Sequence, residues 1–338
     1  MGGGPDDDKM STDSQVKQRP YPGPEKTRDS LLAKLTVKPW IESIPQGIVF
    51  TNALVVDPAT STLLEGLQTV VVKDGKIESI RRGESDTSKD RYGFQIVDLK
   101  GTYICPGLID CHVHVTAVPG VKTMAEAVRI PEEVIHYRSS YVLKEMLLRG
   151  FTTVRDTGGA TKPLAIAISE GLILGPRLIQ CGKAISQTGG HGDFSPGFSG
   201  GSGTGCCGGH SASLGRVADG VPQVLKATRE ELKAGADGSD LLISMHALQT
   251  EEFTVRAEVL PSPAILKHCT TNAAQMLRME GKIGIIRAGA FADLLILNAN
   301  PLEDVTVLDR PEEHLLAVMK EGRVAMSLVA GLAKHEKL

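Results

Sequence analysis

Gly107-Leu108-Ile109-Asp110-Cys111-His112-Val113-His114 places two imidazoles two positions apart at the end of an apolar run. Side chains alternate faces along a β-strand, so His112 and His114 project to the same side, and Asp110 shares their parity. Neutral imidazole is a common ligand of zinc and neighbouring metals, and a catalytic zinc takes about three protein ligands. The pair is therefore half of a metal site whose remainder must come from elsewhere in the chain. Two surface histidines on a strand end are the alternative reading. The apolar run over residues 102–109 argues against it, because an exposed edge is rarely so uniformly hydrophobic.

Downstream, strand and helix patterns alternate. Residues 131–148 carry apolar or small side chains at Ile135, Ser139, Val142 and Met146, the spacing of one helix face, and Gly150 stops the run. Phe151-Thr152-Thr153-Val154-Arg155-Asp156 reads as a second strand, residues 163–170 as a helix, and Arg177-Leu178-Ile179-Gln180-Cys181 as a third strand. A glycine-rich loop over residues 189–210 precedes a further helix over residues 222–234, ended by Gly235. Such alternation, with polar chemistry on strand ends, predicts an α/β fold of the TIM-type (β/α)8 barrel kind, whose sites lie at the carboxyl ends of the strands. Upstream, β-rich runs at residues 48–50, 53–56, 69–72, 76–80 and 95–98, with turn signals at Asp57-Pro58 and Asp74-Gly75, predict an antiparallel meander. A second β-rich set occupies residues 292–297, 305–308, 315–319 and 323–325. The two sets are expected to pair as one small β-sandwich built from both ends of the chain, with the barrel region inserted between them.

Composition narrows the function. The 338 residues are 41% hydrophobic and 23% charged, with a formal charge of −3, which points away from nucleic acid and membrane surfaces as partners. No run approaches the roughly 18 apolar residues of a membrane span, and no early apolar segment resembles a secretory signal, so a cytoplasmic location is expected. Six cysteines, without disulfide-scaffold density or a Cys-x-x-Cys spacing, read as reduced thiols. Cys206-Cys207 in the glycine-rich loop reads as inert. Residues 1–10 read equally as an appended leader ahead of Met10 or as native chain, and residues 11–46, polar and aperiodic, as a flexible arm.

The chain resembles the amidohydrolase superfamily of metal-dependent hydrolases, and within it the branch of imidazolonepropionase-like, prolidase-like and ochratoxin amidase-like enzymes. The resemblance rests on residues 106–114, on Gly150-Phe151-Thr152-Thr153-Val154-Arg155-Asp156, on Ser186-Gln187-Thr188-Gly189-Gly190-His191-Gly192-Asp193, and on residues 284–297 as the return of a β-sandwich. It implies that His112 and His114 are metal ligands and that Asp240, in Gly238-Ser239-Asp240, completes the first metal and handles the proton of its hydroxide. Read without the resemblance, an ordinary helix N-cap is the lesser alternative for Asp240. The resemblance further implies that His191 helps hold the substrate, where the residues alone allow a loop histidine bonded to nearby backbone. Arg155 and Asp156, with Asp110, are expected to act as a buried pair and its neighbour that orient the ligands.

Spacing limits this expectation. Only about 125 residues separate His114 from Asp240, whereas a whole barrel takes roughly 250. The resemblance implies a lysine on strand four that bridges two metals, histidines on strands five and six that bind the second metal, and Asp240 on strand eight; strands four to seven with that lysine and those histidines find no match, as if Gly235-Ala236-Asp237 ran directly into strand eight. The expected organisation is an arm over residues 1–46, a composite sandwich over 47–103 and 284–326, and an incomplete barrel over 104–283. The expected function is zinc-assisted hydrolysis of carbon–nitrogen (amide) bonds in small molecules such as N-acyl amino acids or dipeptides, with at most one zinc. The alternative is a catalytically inactive shortened form with a structural role. A homo-oligomer is left open.

Overall fold

A computed structural model describes residue 40 and residues 46–83, 93–122, 126, 130–190, 193, 214–233 and 248–334. Most of the arm, His191, Cys206, Cys207 and Asp240 lie outside these residues.

The β-rich runs of both chain ends join one nine-stranded sheet. Strand β1 (Gly47–Asp57) serves two neighbourhoods. Its first half pairs antiparallel with β3 (Gln68–Lys73) and parallel with β5 (Gln95–Asp98), and its second half pairs parallel with β6 (Tyr103–Pro106) and antiparallel with the two-residue β2 (Thr62–Leu63). Between the halves the register shifts after Phe50, where Asn52 takes φ 53°, a left-handed conformation that asparagine tolerates. Strand β4 (Lys76–Arg82) continues from β3 through the Asp74-Gly75 turn. The meander is thus antiparallel through β1, β3 and β4. The expectation fails at β5, which is parallel because the chain crosses back before pairing.

Three parallel strands follow: β7 (Leu108–Val113), β8 (Phe151–Asp156) and β9 (Arg177–Gln180), in that spatial order. Between β7 and β8 lies α1 (Glu132–Leu148), which buries Ile135, Ser139, Val142 and Met146 as its spacing predicts. Ser139 is tolerated in this stripe because its hydroxyl donates to the Ile135 carbonyl, 2.8 Å away. Gly150, at φ +98°, ends the helix and turns the chain into β8. Helix α2 (Lys162–Ser169) links β8 to β9. A short parallel pair, β10 (Ala184–Ser186) with β11 (Gly215–Val217), precedes α3 (Gly220–Lys233), and the periodicity of the sequence did not reveal this pair. The described residues contain no closed barrel, so the architecture is mixed α/β with parallel βα units.

After α3 come α4 (Glu251–Ala257), α5 (Ser262–Lys267), a π-helical turn at His268–Asn272 and α6 (Ala273–Met276). Strands β12 (Leu294–Leu297), β13 (Leu315–Lys320) and β14 (Arg323–Ser327) then complete the large sheet, with β12 antiparallel to β6. Residues 305–308, expected as strand, form a 3-10 turn whose N-cap Asp304 side chain accepts from the Thr306 amide. That local bond competes successfully with a ladder.

Strand β12 shows why the layers hold together. Leu294 and Ile296 enter a core with Ile48, Phe50, Val72 and Ile104, while Leu295 and Leu297 enter another with Leu108, Leu143, Met146 and Phe151. A strand covered on both faces reads as an unbroken apolar run, as residues 294–297 do. Each such side chain contributes about 1.5–3 kcal/mol on burial. Between β6 and β7 stands only Gly107, whose amide donates to the Asp293 carbonyl (2.9 Å). A Cβ there would overlap the Thr152 side chain, so the chain passes from one sheet to the next at a point where only glycine fits. No helix among the described residues is long and apolar enough to cross a membrane.

Candidate metal centre

Strand β7 carries His112 to the carboxyl end of the parallel sheet, and His114 follows directly after its last residue. The register against β8 shifts between Asp110 and Val113, so the strand bulges where His112 sits. The two rings lie with centroids 5.5 Å apart, edge to face at 81°. His112 is exposed and His114 half-buried.

The end of β8 holds the backbone on both sides of the pair. Arg155 Nε donates to the Cys111 carbonyl (2.8 Å), just before His112. Asp156 Oδ2 accepts from the Val115 amide (2.8 Å), just after His114. Its Oδ1 accepts from the amides of Gly158 (3.0 Å) and Ala160 (2.9 Å). His114 Nδ1 lies 3.3 Å from the Gly158 carbonyl. The expected Arg155–Asp156 pair is not formed, because consecutive strand residues face opposite sides. Each engages backbone instead. Burial pushes the Asp156 carboxyl up to about 7, against the lowering effect of its three amide donors.

Asp110 bonds the backbone of its own strand. Its Oδ1 accepts from the His112 amide (3.0 Å) and its Oδ2 from Gln249 Nε2 (2.7 Å). Burial raises its pKa above the usual carboxylate range, with both hydrogen bonds opposing. Beside this face a cleft of about 570 Å³ is lined by Asp110, Cys111, His112, Glu252, Arg256 and His268, among others. Glu252 forms an ion pair with Arg256, and burial raises the Glu252 carboxyl. Gln249, Glu252, Arg256 and His268 were not singled out in the sequence. Only the i, i+4 spacing of Glu252 and Arg256 was a signal, and it does not say which face meets β7.

Neutral imidazoles suit zinc, and the pair supplies two of its about three protein ligands. Among the described residues no group of three or more histidine, cysteine, aspartate or glutamate side chains could hold a metal ion. The remaining expected ligand, Asp240, and the expected substrate contact, His191, fall outside the described residues. The donor type fits the metal, and the described set is incomplete.

A His-x-His strand at the carboxyl end of parallel βα units, beside a sheet drawn from both chain ends, is the arrangement of a metallo-dependent hydrolase. The chain belongs to the amidohydrolase superfamily: two Amidohydrolase family models match it, one over residues 103–245 and the other over residues 234–326. Ochratoxinase of Aspergillus niger is 29% identical over 241 residues, covering 64% of this chain and 46% of the relative. Imidazolonepropionase of Streptococcus gordonii is 32% identical over 114 residues, covering 27% of each chain. The chain thus spans about half the length, or less, of these curated relatives. Among solved structures, a prolidase complexed with N-methylphosphonate-L-proline aligns at a TM-score of 0.74 and 28% identity, covering 82% of this chain and 99% of that one. An amidohydrolase aligns at 0.73 and 27%, covering 83% and 99%.

Proposed function

We propose that this protein is a metal-dependent hydrolase of amide bonds in small molecules, N-acyl amino acids or dipeptides, with His112, His114 and Asp240 as the ligands of a single zinc. The observation that carries the reading is the edge-to-face histidine pair at the end of β7, gripped on both sides by Arg155 and Asp156. A zinc bound there would acidify a water and polarise the amide carbonyl. The protein's part is to orient the ligands through β8 and to pass a proton through the Asp240 carboxylate to the leaving nitrogen. His191 is assigned to the substrate. Relatives with imidazolonepropionase, ochratoxinase and prolidase names support the amide class.

The same proposal includes a shortened barrel. The two family models meet at residues 234–245, the stretch where the pattern of strand three's helix runs into that of strand eight. Sequencing the transcript across codons 237 and 238 tests this: a continuous junction supports the shortened form, and further intervening codons with a lysine and two histidines refute it. A cytoplasmic location is part of the reading, supported by the free thiols of Cys105, Cys111 and Cys269.

Zinc content of the purified chain, with hydrolysis of N-acyl amino acids, tests the function. About one zinc per chain, lost in His112→Ala together with amide hydrolysis, is expected. A metal-free wild type that remains inactive after zinc loading refutes it.

A further inference from the structure

We propose that Asp156 sets the tautomer and orientation of His114, as a positioning residue that touches neither ligand nor substrate; the catalytic value of this rests on His114 being a metal ligand. A carbonyl oxygen carries no proton, so the contact between His114 Nδ1 and the Gly158 carbonyl, 3.3 Å, is a hydrogen bond only when Nδ1 bears the hydrogen. The neutral ring then carries its lone pair on Nε2, the nitrogen that does not meet the Gly158 carbonyl.

That bond has two ends, and one carboxylate grips both. On the β7 side, Asp156 Oδ2 accepts from the amide of Val115, the residue after His114. On the β8 side, Oδ1 accepts from the amides of Gly158 and Ala160, which fixes the turn carrying the accepting carbonyl. Neighbouring bonds brace the same turn: the Thr157 amide donates to the Val113 carbonyl (2.9 Å) and the Gly159 amide to the Gly182 carbonyl (2.7 Å). Asp156 is wholly buried, so water does not substitute for it. An ionised carboxylate accepts at both oxygens, whereas an asparagine offers one oxygen and turns its amide hydrogens toward a donor. Asp156→Asn therefore keeps the volume and releases one side of the grip.

The test is 15N NMR of histidine-labelled, metal-free protein, about two pH units above the ~6.5 of free imidazole. Wild-type His114 is expected as the Nδ1–H tautomer, and Asp156→Asn is expected to shift it toward the Nε2–H form that imidazole favours in water, with His112 unchanged. A wild-type His114 in the Nε2–H form overturns the proposal, and so does an Asp156→Asn protein that folds and keeps the wild-type tautomer. Should the variant not fold, amide exchange in the wild type decides. Protection at Val115, Gly158 and Ala160 together with the Nδ1–H tautomer supports the grip, and rapid exchange at these amides refutes it. Titration with zinc alone separates this inference from the functional reading. Weakening by about 10–100-fold in Asp156→Asn is expected of a lost outer partner. A wild type that binds no zinc but shows the Nδ1–H tautomer refutes the metal reading and leaves the positioning role standing.

Discussion

Replacing Arg177 with alanine should loosen the joint between the two sheets. Arg177 opens β9, and its Nη1 donates to Asp293 Oδ2 (2.7 Å) and Thr153 Oγ1 (2.8 Å) while its Nη2 meets Glu321 Oε1 (2.6 Å). The guanidinium also lies 4.4 Å from the centre of the Phe291 ring. Asp293, 1% exposed at its side chain, is in turn tied to the Glu321 amide (2.8 Å). Removing Arg177 strands the Asp293 charge in a dry setting, and breaking a buried pair from one side costs about 3–5 kcal/mol. The Phe291 contact adds about 0.5–2 kcal/mol. The Glu321 arm is more than a third exposed, so water screens it and Glu321→Gln should cost about 1 kcal/mol or less. Urea unfolding of Arg177→Ala should therefore show a loss of about 3.5–7 kcal/mol, and the double variant with Asp293→Asn should lose less than the sum of the singles. A loss under about 1 kcal/mol, or strict additivity, would refute the view that this cluster clamps the parallel strands to the large sheet.

Three further outcomes are expected. Because Asp156 titrates at about 7 when folded against 3.8 as its ordinary value, the native state holds a proton the unfolded chain has lost, so its contribution to stability is full below about pH 4 and declines as pH rises to about 7; urea midpoints at pH 5 and 8 should show this fall, and Asp156→Asn should flatten it. Gly107→Ala should destabilise by about 1–3 kcal/mol through overlap with Thr152, and Thr152→Ala in the same chain should restore part of the loss; thermal unfolding with no change in Gly107→Ala would contradict the packing. The Cys111 thiol, pushed up to about 11 by burial, should alkylate with iodoacetamide far more slowly than a free cysteine at pH 7.5, and a rate equal to that of glutathione would contradict its burial.

The candidate site was legible in part. His112 and His114 were readable because a strand repeats every two residues, so their shared face follows from local geometry. The same rule should have separated Arg155 from Asp156, and adjacency in sequence masked it. Gln249 and Glu252 join the site through a contact with β7 across more than a hundred residues, as the Gln249–Asp110 bond shows, and no short-range pattern reports such a distance. The pairing of β10 with β11 was hidden for a related reason. Three-residue strands have too few alternations to be distinguished from loop.

From sequence alone came the strands and helices with clear periods, the membership of the amidohydrolase superfamily, and the histidine pair as the place to look for metal. These are properties of a dozen neighbouring residues at a time, governed by backbone period and side-chain type. Only the tertiary structure decided that β5 runs parallel to β1, that residues 305–308 curl into a turn, and that Arg177 bridges Asp293 and Glu321. It also placed one buried carboxylate between the two backbones that hold His114. Such arrangements depend on which strand edges remain open and which charges must be neutralised once the cores have closed. That competition is settled between distant parts of the chain.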